Sequence, residues 1–274
     1  MRRKRMDRIP ILDIQNLSVS FSQYVDMFRK NDLQVIKDLN LKLFEGEVVA
    51  VVGASGSGKS LLAHAILGIL PYNASFSGRM SYCGEPLTQM RIEQLRGKEI
   101  VLVPQSVSYL DPLMKVGFQI RKSVNDKRSK EKMLQTLNRY GLGEEVEKLY
   151  PFELSGGMAR RVLISTAVMD SPRLVIADEP TPGIHIDAAK QVLGHFRKIA
   201  DDGAAVLIIT HDLELAIEAA DRVVVFYAGM TLEEAQASDF SDESKLSHPY
   251  TRALWRAMPQ NGFRAIESIK EADL

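Results

Sequence analysis

The chain has 274 residues, 45% apolar and 26% charged, which suits one or two globular domains with a substantial core and excludes disorder throughout. Lys+Arg and Asp+Glu are equal at 35 each, so the formal net charge is zero, without the basic excess that accompanies broad phosphate-backbone binding, and no nucleic-acid partner is expected. A single cysteine, Cys83, cannot form an internal disulfide, no Cys/His cluster has zinc spacing, and a reducing intracellular compartment is expected.

Met1 to Pro10 is basic, but no apolar stretch of signal-peptide length follows. Ile11 to Phe21 alternates apolar and polar residues in its later half, and a second candidate strand runs through Ile36, Leu39, Leu41 and Leu43. Both read as antiparallel, half-exposed strands. Val48 to Val52 is a continuous apolar run that stops at Gly53, as expected of a strand buried on both faces. This run and the one at Ala65 to Leu70 fall far short of the roughly 18 residues a membrane span needs, so any membrane role has to come through a partner.

Gly53-Ala54-Ser55-Gly56-Ser57-Gly58-Lys59-Ser60 fits G-x-x-x-x-G-K-[ST] between that strand and a segment of helical character, Gly58 to Leu70. Glycines let backbone N–H groups curl around phosphate oxygens, and the helix aims its positive end at them. Lys59 is expected to reach the β/γ-phosphates and Ser60 to place its hydroxyl on Mg²⁺. From about Ser106 to Phe152 the chain is charged and helix-prone, and Lys127 to Lys132 reads as a solvated helix face. Leu154-Ser155-Gly156-Gly157-Met158 opens a helix whose free N–H groups make a second anion site. Leu174 to Ala177 and Ala204 to Ile209 repeat the apolar strand pattern, giving an α/β core with a parallel sheet. Asp178 ends the first of these at the edge where ligands bind in open α/β sheets, and Glu179 beside it is placed to orient and polarise an attacking water. Beyond Tyr227 the pattern weakens through an acidic, polar stretch from Thr231 to Lys245, and a short amphipathic helix is expected over Pro249 to Met258.

The phosphate loop, Leu154 to Met158 and Asp178-Glu179, in that order, closely resemble the signature of ATP-binding-cassette (ABC) ATPases. Gln105, after the strand Ile100 to Val103, resembles the family's glutamine-loop residue, and His211, after Ile208-Ile209-Thr210, its switch histidine. The resemblance covers about Ile11 to Pro259 and implies the ABC ATPase fold: a P-loop core with a parallel sheet, an antiparallel β edge and an inserted helical subdomain. The expected division is a core of about 9–105 and 171–240, a helical subdomain of about 106–170 and a carboxyl-terminal segment of about 241–274, all in one domain.

The resemblance further implies ATP and Mg²⁺, bound through Gly53, Ser55, Gly56, Ser57, Gly58, Lys59 and Ser60, with Ser60, Gln105 and Asp178 on the metal and Glu179, His211 and Gln105 in catalysis. Two ATPase subunits are expected head to tail, each nucleotide lying between one subunit's Lys59 and the other's Ser155, Gly156 and Gly157. Phe21, with Tyr24 as the alternative, is expected to stack on adenine. The insertion would carry the motion to two membrane permease subunits at the cytoplasmic face of the cell membrane, with an extracytoplasmic solute-binding protein acting indirectly.

Ser247-His248-Pro249-Tyr250-Thr251-Arg252-Ala253-Leu254, closing at Met258-Pro259, and Tyr150-Pro151-Phe152-Glu153 resemble the ATPases of oligopeptide, dipeptide and nickel importers. Larger peptide-importer members carry a further cysteine-containing extension, and its absence before Leu274 tilts the expectation toward nickel or a metallophore. Three departures from the family pattern stand out. His185 lies where an aspartate is usual, Arg160 lies where a glutamine is usual, and Met230-Thr231-Leu232-Glu233-Glu234 replaces the usual Gly-rich strand pair. They suggest one half of a heterodimer paired with a paralogue. The competing readings are a catalytically weak regulatory half and a soluble ABC ATPase acting away from membranes.

Overall fold

A computed structural model describes residues 8–26, 29–122, 124, 126–181 and 185–262. Two sheets organise them. The first runs in the order β2-β1-β4-β5, with β1 (Leu12–Asp26), β2 (Arg29–Leu43), β4 (Ala74–Tyr82) and β5 (Glu85–Pro86) all antiparallel. The alternation in β1 is incomplete for a physical reason. Asn16 adopts φ 51°, and the register shifts between Ile14 and Leu17, so the bulge turns both side chains to the same buried face.

The second sheet has six strands in the order β10-β9-β3-β8-β7-β6. Here β3 (Val48–Val52), β6 (Ile100–Val103), β7 (Leu174–Asp178), β8 (Ala205–Thr210) and β9 (Arg222–Tyr227) are mutually parallel, and β10 (Met230–Gln236) returns antiparallel. Every residue of β3, β7 and β8 is buried, as the continuous apolar runs predict. The strands divide their side chains between two cores. Val48, Ala50 and Val52 face one apolar layer with Val206 and Ile208, while Val49 and Val51 face the other with Leu207 and Ile209.

On the second layer lie α1 (Lys59–Ile66), α2 (Gln89–Leu95) and the antiparallel sheet. On the first lies α6 (Ile186–Asp201), which buries Ala189, Val192, Leu193, Phe196, Ile199 and Ala200, a stripe at helical spacing. Between β6 and β7 come α3 (Val116–Ile120), α4 (Lys127–Arg139) and α5 (Gly156–Val168). In α4, an Asp126–Ser129 capping box starts the helix, Met133 and Leu137 pack inward, and the charged run lies on its outer side. α7 (Leu213–Ala219) precedes β9, and α8 (Pro249–Ala257) occupies the expected carboxyl-terminal helix.

One expectation needs correction. The segment after Tyr227 does form a strand pair: Ala228 (φ 46°) and Gly229 (φ 87°) make the tight turn between β9 and β10, so two left-handed residues suffice without a Gly-rich run. The basic residues before Asp7, the Tyr24 side chain, the stretch Pro182 to Ile184 and the tail beyond Gly262 lie outside the described residues. No helix among the described residues is long and apolar enough to cross a membrane.

A buried ionic cluster joins the two sheets. Arg222, at the start of β9, donates from Nε to Glu47 Oε1 at 2.9 Å, also meets Glu234 on β10, and donates to the Lys42 carbonyl of β2. Removing one partner of such a buried pair is strongly destabilising. Arg222→Leu is therefore expected to lower the unfolding free energy by about 3–5 kcal/mol in chemical denaturation, and a loss under about 1 kcal/mol would show the cluster to be dispensable.

Candidate functional site

Parallel register brings the chemistry together. Val52 pairs with Thr210, Ile209 with Asp178, and Ala177 with Val103, so β3, β8, β7 and β6 end on one edge of the sheet. Directly beyond β3, β8 and β7 come the phosphate loop, His211 and Glu179, and Gln105 follows β6 after Pro104.

The loop from Gly53 to Gly58 is shaped by its backbone. A Cβ at Gly53 would lie 2.0 Å from the Phe226 carbonyl oxygen, so no other residue fits there, and Gly56 and Gly58 hold φ values of 79° and 96°. Lys59, 6% exposed, donates from Nζ to the carbonyls of Gly53 and Ala54, both at 2.8 Å. Burial lowers the pKa of its ammonium, and the negative charges of Glu179 and Asp178 oppose that shift. Ser55 is exposed on the loop, and the Ser57 hydroxyl oxygen is buried beside it with no hydrogen-bond partner. An orphaned hydroxyl in a glycine-rich loop suits a phosphate oxygen.

Ser60 Oγ donates to Asp178 Oδ1 at 3.1 Å. Burial raises the pKa of Asp178, with Glu179 adding to the shift, while the Ser60 hydrogen bond and the nearby His64 and Lys59 oppose it. A hydroxyl beside one partly desolvated carboxylate is the hard-oxygen donor set that suits Mg²⁺.

Glu179 follows with φ 44°, a left-handed backbone that costs on the order of 1–3 kcal/mol for a non-glycine residue. Its N–H is fixed by the Ile209 carbonyl of β8 at 2.8 Å. That turn lifts the carboxylate to His211, whose Nδ1 lies 3.0 Å and 2.9 Å from the two Glu179 oxygens. His211 is exposed while the Glu179 side chain is 12% exposed, so the pair spans from the protein interior to solvent.

Gln105 presents an exposed side chain one strand over from Glu179. Ser155 caps α5, its Oγ accepting from the Met158 N–H at 3.3 Å. A Cβ at Gly156 or Gly157 would meet nothing, and neither backbone is left-handed, so nothing in the chain's own packing calls for glycine there. No hydrogen bond links Ser155 to Gly157 with the phosphate loop among the described residues.

Phe21, on β1, pairs with Leu33 of β2 and Ala74 of β4 and packs, half-buried, against the second apolar layer. His185 caps α6, its ring nitrogen accepting from the Asp187 N–H at 3.5 Å. Sequence reasoning marked Arg160 only as a departure. It is in fact buried and bonded to the main chain at Gln105, a contact that no spacing rule could reveal.

Residues 36–182 match the family model described as ABC transporter. The chain is 33% identical to the dipeptide transport ATP-binding protein DppD of Haemophilus influenzae, over 95% of this chain and 82% of that protein. It is 36% identical to the oligopeptide transport ATP-binding protein OppD of Lactococcus lactis subsp. cremoris, over 93% and 77% respectively. A dimeric bacterial ABC transporter cassette superposes with a TM-score of 0.70 at 23% identity, over 82% of this chain and 98% of that one.

The opposing electrostatics of Asp178 give a test. Its folded pKa is raised, so its charged form destabilises the fold above that pKa and the penalty disappears below the unfolded carboxylate value. Asp178→Asn is therefore expected to melt higher than the parent at neutral pH, with the difference closing on acidification, while Mg²⁺-dependent ATP binding is lost. A lower melting temperature at neutral pH would overturn the sign.

Carried by the phosphate loop, the acidic strand end and these relatives together, the conclusion is that the chain belongs to the ABC transporter family and is an ATP-binding ATPase subunit of it.

Proposed function

We propose that this subunit hydrolyses ATP to power peptide import, working as half of a head-to-tail nucleotide sandwich docked on two membrane permease subunits. The Glu179–His211 pair, poised beside Ser60 and Asp178, carries the catalytic part of the reading. The unpacked Gly156 and Gly157 support the sandwich, since they offer bare backbone to a nucleotide held by a second subunit. The departures at His185 and Arg160 favour a paralogue over a second copy as that subunit.

In this reading, amides of the loop from Gly53 to Gly58 and the Lys59 ammonium bind and orient the β- and γ-phosphates. Ser60, Asp178 and Gln105 would hold Mg²⁺, which when bound neutralises charge accumulating on the phosphate oxygens. The Glu179 carboxylate accepts a proton from the water that attacks the γ-phosphorus, while the bond from that phosphorus to the β,γ-bridging oxygen breaks and ADP leaves with the electron pair. His211 Nδ1 holds that carboxylate in its orientation. Loss of the γ-phosphate removes contacts shared by both subunits and lets them part.

The named relatives support dipeptides and oligopeptides as the solute class. The nickel or metallophore cargo suggested by chain length has no counterpart in those relatives. The proposed location is the cytoplasmic face of the membrane, with a solute-binding protein acting from the far side.

Glu179→Gln keeps the side-chain shape and removes the proton acceptor. It is expected to retain ATP binding and to lower kcat of the assembled transporter by about 10²–10⁴. Unchanged turnover would remove Glu179 from the chemistry.

A further inference from the structure

The signature helix and the glutamine loop are joined by one side chain. Arg160 sits on α5 one turn beyond Gly156 and is 4% exposed. Its Nη1 donates to the Pro104 carbonyl at 2.9 Å and its Nη2 to the Gln105 carbonyl at 2.6 Å. Both bonds are charge-assisted, and the planar fork of the guanidinium is what lets one side chain reach two successive carbonyls. A glutamine is two bonds shorter and cannot span the pair.

Burial opposes a charge at this position and pulls the pKa of the Arg160 guanidinium down. Among the described residues, no ion pair with a carboxylate offsets that burial. The segment it grips is otherwise tied mainly to itself. Ser108 N–H donates to Ser106 Oγ at 3.1 Å and Leu110 N–H to the Val107 carbonyl at 3.0 Å, while residues 105–109 are exposed. A desolvated cation spent on two main-chain oxygens of an exposed loop is a positional device.

We infer that Arg160 is a positioning residue that locks the main chain of the Gln105 loop to the signature helix, so that Gln105 and the Ser155–Gly157 loop move as one unit. The role given to those two loops rests on the reading under Proposed function. A displacement at Gln105, next to the nucleotide, then reaches the surface offered to the second ATPase subunit without passing through a soft joint. Arg160 acts through Gln105 and touches no reacting atom.

The test pairs two readouts. Amide hydrogen exchange of the full chain is compared for the parent, R160Q and R160K, and ATPase rates of the assembled transporter are compared for Q105A, R160Q and the double variant. R160Q is expected to raise exchange in residues 104–110 about tenfold while β3 and β7 stay protected, and R160K, which keeps the charge but grips a single carbonyl, falls between. Each single change lowers kcat about tenfold with KM for ATP within about twofold, and the double variant is no slower than the worse single one. Unchanged exchange in 104–110, or losses that multiply, would overturn the inference. If R160Q does not fold, R160K supplies both comparisons. The exchange readout does not depend on hydrolysis, and E179Q in the same preparation reports separately on the catalytic reading.

Discussion

Everything in this protein depends on the register of four parallel strands. β3, β8 and β7 are buried along their whole length and β6 at all but Leu102, and polar residues fix their ends: Glu47 before β3, Thr210 closing β8 and Asp178 closing β7. A slip of one residue would draw one of these into an apolar layer, where an unpaired charge or hydroxyl costs several kcal/mol. Because the register cannot slip, four loops far apart in sequence end side by side. The Asp221 carboxylate reinforces it at the opposite edge, accepting from the Val48 N–H at 2.9 Å and from Arg197 at 2.8 Å.

The site that results works against the stability of its own fold. Lys59 and Asp178 are charged groups held under partial burial, and Glu179 is held in a backbone conformation suited to glycine. Each is held by a fixed partner: Lys59 by carbonyls of the phosphate loop, Asp178 by the Ser60 hydroxyl, and Glu179 by the Ile209 carbonyl of β8. The surrounding apolar layers supply the stability that lets these groups stay poised. Preorganisation of this kind gives the carboxylate and imidazole a fixed geometry before any nucleotide arrives.

The chain's own packing leaves other parts open. Gly156 and Gly157 face open space, Phe152 is 74% exposed and stacked on Tyr150 at 5.5 Å, and Tyr109 and Leu113 are exposed near the Gln105 loop. All of these lie between the end of β6 and the first turn of α5, the two ends that Arg160 ties together. The closed core holds the phosphate loop and the acidic strand end, and the open segment leaves bare glycine backbone and large apolar side chains on the surface.

Local patterns were enough to read the buried strands, the phosphate loop, the acidic strand end and α8, because each is a property of adjacent residues: a continuous apolar run, glycines at fixed offsets, a proline-led amphipathic turn. The β9–β10 pair leaves no local signal, because its turn needs only Ala228 and Gly229, and Thr231 to Gln236 has the polarity of a loop. Tertiary structure alone decided that Glu179 and His211 meet at 2.9 Å, since the contact depends on the β7–β8 register and on a backbone turn at φ 44°. It alone decided that Arg160 grips the Gln105 loop, because a residue's neighbours across 55 positions are set by packing and leave no periodic trace in the chain. Residue type and short-range spacing select the groups able to perform the chemistry; which of them touch is set by the fold, because contact is a long-range property that only the packed sheet and helices impose.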